Sequence, residues 1–200
     1  MATVEIRGNT DLRNAMRRFA PDLEKNLRKE IASGLKPVVA TARGFVPANS
    51  PMSGWASRSF NQGFFPTYTS STVIRGITYS TTVTKKSKQG FTANAAIFNK
   101  SAAGAIYETA GRKNPEGQPW VGRNGSASHD FSHSNWEGAG KTFISKLPPL
   151  VSSLQGQGRL IYRAWAQDKG RAHNIVMRAL DKTFAQFDAR AKTRTLGVAA

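Results

Sequence analysis

The chain has 200 residues and a net charge of +17, from 29 basic and 12 acidic side chains. It contains no cysteine, which excludes a disulfide framework and thiol chemistry. No apolar run reaches the roughly 18 residues that a membrane span needs, and the hydrophobic fraction of 39% is enough for one core. We therefore expect a single domain over residues 1–200.

The basic residues are unevenly distributed along the chain. No carboxylate occurs between Glu30 and Glu108, a stretch that contains eight lysines and arginines. Such a surplus indicates a polyanion nearby, either nucleic acid, an anionic membrane or an acidic protein surface. The alternative is a basic subunit balanced by an acidic neighbour in an assembly. No helix-turn-helix, zinc-finger or RNA-binding aromatic pattern occurs, so recognition of a base sequence is not expected.

The segment Pro21–Pro47 has the clearest helical pattern in the sequence. Leucine or isoleucine recurs every four residues from Leu23 to Leu35, and the charged residues fall mostly outside this stripe. Gly34 and Pro37 interrupt the pattern, because proline lacks the N–H that an internal helical position donates. We expect a kink between residues 33 and 37, or two abutting helices.

Two further helical regions are predicted at the ends of the chain. The first is capped by Thr10 or Asp11 and has Phe19 on its apolar side. The second runs from Gly158 to about Thr193 and is split into two helices at Gly170. The resulting fold class is α+β, with an antiparallel sheet packed against a long, kinked N-terminal helix and a C-terminal helix.

Residues 48–71 form a predicted loop rich in serine, glycine, asparagine and proline, and it carries several large aromatic side chains. These rings could fold back on the domain's own core or dock on a partner subunit, because aromatic residues are enriched at interface cores. Stacking of single-stranded bases is a third alternative. A second polar region, residues 112–154, is interpreted as an insertion or extended loop. The candidate subunit-interface residues of the two regions are Trp55, Phe60, Phe64, Phe65, Tyr68, Trp120 and Trp136.

Between these regions the sequence predicts an antiparallel hairpin, with strands at Thr72–Thr84 and Phe91–Phe98. Its turn contains Lys85, Lys86 and Lys88 and no carboxylate. A solvated loop tip is one interpretation of this turn. The other is a basic finger that reaches towards DNA or an acidic partner.

A short helix is predicted over Ser101–Ala110, with Tyr107 facing inward. Glu108 within it is the first carboxylate after the long basic stretch. We expect it to be a salt-bridge partner rather than a catalyst.

Two motifs invite an enzymatic interpretation and neither is complete. The sequence GAGKT at Gly138–Thr142 resembles the end of a phosphate-binding loop, but the preceding residues do not form a buried strand. His129, Asp130 and His133 could bind a metal, but no second carboxylate cluster completes a site. We expect a protein that is not an enzyme, with no cofactor and no metal.

The order of elements resembles the tail-completion (neck, head–tail connector) proteins of long-tailed double-stranded-DNA bacteriophages. The resemblance is carried by Ala32–Ala40, Ala42–Arg43 and Val46–Pro47, and by Ala105–Glu108 together with Gly111. It covers roughly residues 10–111 and, more loosely, 158–192. Residues 112–154 have no counterpart that we can name in this family.

This resemblance implies an α+β subunit that assembles into a ring, most often hexameric, between the head-closure protein and the tail terminator. Double-stranded DNA passes through such a ring, which is part of the virion neck and is assembled in the cytoplasm of the bacterial host. No membrane partner is implied. A tail terminator or another tail-tube-capping ring protein is the first alternative, and a free, nonspecific nucleic-acid-binding protein is the second.

Overall fold

A computed structural model describes residues 9–52, 55–56, 66–82, 93, 95–116, 138–153 and 156–197. The fold is α+β, with long helices near both ends of the chain and two small antiparallel sheets. The helices are α1 (Asn9–Phe19), α2 (Pro21–Gly44), α3 (Ser70–Gly76), α4 (Ala102–Thr109), α5 (Ala139–Ser145), α6 (Ile161–Asp168) and α7 (Arg171–Gly197). The strands are β1 (Ile77–Ser80), β2 (Ala96–Asn99), β3 (Val151–Ser153) and β4 (Gly156–Gly158).

Each sheet has two strands. Strand β1 pairs with β2, and β3 pairs with β4 in a register that places Val151 opposite Gly158. The backbone N–H of Lys100 donates to Gly76 O at 3.0 Å, just beyond the first pair. Strands of three or four residues bury little surface alone, so the helices provide most of the core.

The chain divides into two compact units, each built from separated segments. Unit 1 comprises Met1–Ala40, Tyr79–Ile97 and Asp168–Ala200, and unit 2 comprises Thr41–Thr78 and Phe98–Gln167. Neither unit is a continuous piece of the sequence. The expectation of a single domain, with an aromatic loop at 48–71 and an insertion at 112–154, stays a prediction.

Helix α2 is one uninterrupted helix of 24 residues with Pro37 inside it. The alternative of two abutting helices was therefore wrong. Pro37 and Ser33 are both exposed, so the carbonyl of Ser33, which proline leaves without its helical donor, is on the side that water can reach. The predicted apolar stripe is confirmed, since Leu23, Leu27, Ile31 and Leu35 are buried.

Within unit 1, α2 packs against α7 in antiparallel order. Three contacts fix this order: Gly34 lies against Ile175, Glu30 is 3.6 Å from the Lys182 ammonium, and Asp22 is 2.8 Å from the Arg190 guanidinium. A β-carbon at Gly34 would come 3.0 Å from Cγ2 of Ile175. Glycine at this position thus permits the close approach of the two helices.

Helix α1 buries Met16 completely but leaves Phe19 65% exposed. The expectation that Phe19 lies on the apolar side of this helix was therefore wrong. Phe19 is the last residue of α1, and Pro21 begins the next helix after the buried residue Ala20. Phe19 thus stands at the junction of two helices, where the periodicity of α1 ends.

The first predicted strand begins as a helix. Residues 72–76 belong to α3, and only Ile77–Ser80 are extended within the described part of Thr72–Thr84. Threonine, valine and isoleucine favour strands locally, but the helical turn buries Val73 and Gly76. It also lets Val73 O accept a hydrogen bond from the Asn99 amide at 3.5 Å. Tertiary packing overrides the local preference here.

The predicted split of the C-terminal helical region is confirmed. Gly170 has φ +82°, and Lys169 before it has φ +50°, so helix α6 ends and α7 begins across this pair. The carboxylate of Asp168 accepts a hydrogen bond from the backbone N–H of Ala172 at 2.6 Å. Asp168 thereby satisfies one of the unpaired N–H groups at the start of α7.

A pair of glycine substitutions tests the packing between α3 and β2. A β-carbon at Gly76 would collide with the side-chain amide of Asn99 and with Ser101. We expect Gly76→Ala to lower the free energy of unfolding by roughly 1–3 kcal/mol. Gly44→Ala is the matched control, because nothing lies within 4 Å of its β-carbon position. It should leave stability unchanged or raise it by up to about 1 kcal/mol in urea titrations, and equal effects of both variants would contradict the packing argument.

Candidate functional site

The structure places two of the predicted interface residues inside unit 2. Trp55 is fully buried and Tyr68 is 3% exposed within the single chain. Of the alternatives for these two rings, packing on the chain's own core is therefore the one observed, and neither ring is at the surface. Phe60, Phe64, Phe65, Trp120 and Trp136 lie outside the described residues, as do Lys85, Lys86 and Lys88. Their assignments stay predictions.

Trp55 and Tyr68 belong to an aromatic cluster that also contains Tyr107 and Phe143. The Trp55 ring lies 5.2 Å from both the Tyr68 and the Phe143 rings, and Tyr68 lies 6.4 Å from Tyr107. The indole N–H of Trp55 donates to Pro66 O at 2.9 Å, and the Tyr68 hydroxyl donates to Pro47 O at 2.8 Å. The rings are buried while their polar atoms keep partners, which avoids the cost of desolvating an unpaired donor.

Glu108 is the polar group at the centre of unit 2. It lies on α4 and is 4% exposed. Its carboxylate accepts backbone N–H groups from Arg159 at 3.1 Å, from Leu160, and from Tyr162 at 3.0 Å. These donors are at the start of α6, where N–H groups have no helical partner and the helix dipole is positive. The expected role as a salt-bridge partner was wrong, because the carboxylate binds a helix N-terminus.

Arg159, just before α6, connects the same two helices in the opposite direction, because its side chain reaches the end of α4. Its guanidinium is buried and donates to Tyr107 O at 3.0 Å, to Ala110 O at 2.8 Å, and to Pro148 O. Burial lowers the pKa of Arg159 from its ordinary value, and the nearby Tyr107 and Glu108 oppose that shift. The guanidinium thus provides charged donors for carbonyls at the C-terminal end of α4. We call these two residues the Glu108–Arg159 centre.

Several residues that carry the family resemblance lie in unit 2 together with this centre. Arg43 donates from Nε and Nη2 to Ile77 O at 3.1 and 2.7 Å, and Pro47 O accepts the Tyr68 hydroxyl. Gly111 has φ +82°, and a β-carbon there would collide with Ile144. Two segments about sixty residues apart in the sequence are therefore joined through the aromatic cluster.

Unit 1 contains a second buried ion cluster. The Glu24 carboxylate, 6% exposed, accepts hydrogen bonds from Arg28 at 2.7 Å, Arg13 at 3.1 Å and Arg17 at 3.5 Å. Burial acts to raise the pKa of Glu24, but the hydrogen bonds from Arg28 and Arg13 outweigh it, so the pKa lies below its usual value. Arg13 also donates to Thr81 O at 3.0 Å, which ties α1 to the chain after β1.

The buried carboxylates have structural partners. Glu24 binds arginines, whereas Glu108 and Asp168 bind the N–H groups of helix starts. A general acid or base needs a free lone pair or proton directed at a substrate, and these groups are engaged with the chain itself. Within the described residues, no three histidine, aspartate or glutamate side chains are grouped to hold a metal ion. His129, Asp130 and His133 lie outside that part of the chain.

Sequence reasoning missed the roles of Glu108, Arg159 and Arg43. For Glu108 a signal existed, namely an isolated carboxylate in an apolar helical segment, which predicts burial with a partner but not which partner. For Arg159 and Arg43 no local pattern distinguished them from the many other basic residues.

Comparison with models of known protein families, with curated protein sequences and with solved structures gave no match. No helix among the described residues is long and apolar enough to cross a membrane.

The Glu108–Arg159 centre predicts a large effect of a small substitution. Glu108→Gln keeps the shape of the side chain but replaces one acceptor oxygen with an N–H₂ group that faces backbone donors. We expect the free energy of unfolding to fall by roughly 2–4 kcal/mol, measured by chemical denaturation. Glu116→Gln is the control, because the side chain of Glu116 is 72% exposed and forms a surface ion pair with Lys141. Its effect should stay below about 1 kcal/mol, and a similar loss in both variants would refute the assigned role.

Tyr68 predicts a loss of stability at alkaline pH. Burial raises the pKa of the Tyr68 hydroxyl to about 12 from its ordinary value of 10.0. The pKa of Tyr68 is higher in the folded protein than in the unfolded chain. Its contribution to the free energy of unfolding is therefore complete below pH 10 and is lost as pH rises towards 12. In urea titrations across this range, Tyr68→Phe should show a shallower decline than the wild type. Below pH 10 the difference in free energy of unfolding between Tyr68→Phe and the wild type should be constant. If the two free energies also fell in parallel above pH 10, the prediction would be contradicted.

Proposed function

We propose that the protein is a structural subunit of a bacteriophage neck, which forms a ring that joins the head to the tail and lets double-stranded DNA pass. The subunit contributes shape, contacts and charge, and no catalytic step. A closed ring of identical subunits is the expected symmetry for such a part, because cyclic assembly uses one repeated contact.

One observation carries the proposal. The residues on which the family resemblance rests are low in information, since most of them are alanine, glycine, proline or an aliphatic residue. Yet several have a specific contact in unit 2: Arg43 binds Ile77 O, Pro47 O accepts from Tyr68, and Glu108 binds the start of α6. Residues with such contacts constrain the fold, so the pattern reflects structure rather than composition. This supports the inference that the chain shares the family's fold and role.

The charge supports passage of DNA through the assembly. A net charge of +17 on 200 residues attracts phosphates at long range and without sequence preference. A conduit needs contacts of this kind, because every part of the genome must pass the same surface. The order of elements agrees with the resemblance as well: a long helix, two antiparallel strands, a short helix with Glu108, and a C-terminal helix.

The location of the protein in particles tests the proposal. Mass photometry of the purified chain should show one closed species, and six copies of 21.7 kDa would weigh about 130 kDa. Electron microscopy of virions that carry a tagged copy should place the density between the portal and the tail tube. Density only at the top of the tail tube would identify a tail terminator instead. A stable monomer that is absent from particles would exclude both ring proteins.

A further inference from the structure

Helix α2 carries three lysines on one exposed face. Lys25, Lys29 and Lys36 are all exposed, and none of them is in an ion pair with the rest of the described chain. With 100° per residue, the three positions fall within about 40° of one another around the helix axis. With 1.5 Å per residue, they span roughly 16 Å along it. We call this set the lysine stripe, and it lies entirely in unit 1.

The carboxylates of α2 do not neutralise the lysine stripe. Asp22 pairs with Arg190 at 2.8 Å, and Glu30 pairs with Lys182 at 3.6 Å, both on α7. The third carboxylate, Glu24, is buried among arginines on the opposite side of the helix. Asp22 and Glu30 are therefore matched by cations of α7, and Glu24 by arginines that include Arg28 of α2 itself. Within the described residues, no carboxylate pairs with the lysine stripe.

The spacing within the stripe is unfavourable for the helix alone. Lys25 and Lys29 are four residues apart, an arrangement of like charges that destabilises an isolated helix by about 0.2–0.5 kcal/mol. A glutamate at either position would have removed this repulsion. The stripe is thus better explained by an external anion than by the stability of the helix.

We propose that the lysine stripe contacts the phosphate backbone of double-stranded DNA. This rests on the proposed neck function and specifies which surface of the subunit faces the nucleic acid. Duplex DNA carries one phosphate per strand for roughly every 3.4 Å of its helix axis, so the stripe is long enough for each of its three ammonium groups to reach a different phosphate. Ammonium groups bind phosphate as point charges and do not depend on base sequence.

The residues beside the lysines fit this partner. Asn26, Ser33 and Ala40 are exposed on the same half of α2 and are small or uncharged, so they neither repel phosphate nor block close approach. A helix that binds a membrane surface would present large apolar side chains between its cations. The exposed side of α2 has none among Pro21–Gly44. Nucleic acid is therefore favoured over lipid.

The experiment measures the binding of the full-length protein to a labelled duplex of ~20 base pairs as a function of salt concentration. The variant carries Lys25→Gln, Lys29→Gln and Lys36→Gln together. We expect the slope of log K against log salt to fall by about 2–3, close to 0.9 per lost phosphate contact. If the two proteins bind equally at about 1 M salt, this corresponds at about 0.1 M to a loss of affinity of roughly a hundredfold to a thousandfold. Thermal unfolding followed by circular dichroism checks that the variant is folded.

The matched control replaces three lysines of unit 2, Lys100→Gln, Lys113→Gln and Lys146→Gln. These residues are also exposed and make no ion pair with the described chain, and the change in net charge is the same. The control should change the slope by less than about 1. Equal slopes for the two triple variants would mean that binding follows net charge alone, which would overturn the proposal.

Other outcomes distinguish a failure of the lysine-stripe proposal from a failure of the proposed neck function. If the stripe variant binds DNA like the wild type while the protein occupies virion necks, the stripe is wrong and the neck function stands. If the slope falls as expected but the protein is absent from necks, the neck function fails and the stripe remains a DNA-binding surface. If polyglutamate, and not DNA, binds in a manner that depends on the three lysines, the partner is an acidic protein and the proposal is overturned.

Discussion

The structure of unit 2 depends on one constraint. The unpaired backbone groups at two helix ends must find hydrogen-bond partners inside the core, and each end supplies the partner for the other. The C-terminal end of α4 has unpaired carbonyls, and the N-terminal end of α6 has unpaired N–H groups. Glu108 on α4 binds the N–H groups of α6, and Arg159 just before α6 binds the carbonyls of α4. Each charge also has the sign that the dipole of the facing helix end favours. The carboxylate and the guanidinium therefore stabilise the same contact from both sides.

The aromatic cluster makes this arrangement stronger. Tyr107 contributes its ring to the cluster and its carbonyl to Arg159, so one residue belongs to both. Buried rings exclude water, and hydrogen bonds to charged groups are stronger where the local dielectric is low. The same exclusion makes an unpaired charge costly, so Glu108 and Arg159 are each stable only while the other groups stay in place. The core of unit 2 is consequently held by buried charges, hydrogen bonds and rings that depend on one another.

Much of this fold could be predicted from local patterns, whereas the Glu108–Arg159 centre could not. The apolar stripe of α2, the short helix at α4 and the break at Gly170 follow from periodicity and from the conformational freedom of glycine. The helix at α3 could not be predicted, because its β-branched residues favour strands and tertiary packing reverses that preference. Glu108 finds its donors about fifty residues away, and no periodicity reports contacts at that separation.

The charge pattern links the structure to the proposed role. In unit 1, cations of α7 neutralise Asp22 and Glu30, whereas Lys25, Lys29 and Lys36 on the neighbouring face of α2 have no ion pair within the described residues. Repulsion within that stripe costs only a few tenths of a kcal/mol, so stability alone does not exclude it. Three separated ammonium groups per subunit hold phosphate weakly and in a salt-dependent way. In the proposed ring, repeated contacts of this kind would guide DNA without fixing it at one position, because each contact can pass from one phosphate to the next as the duplex moves.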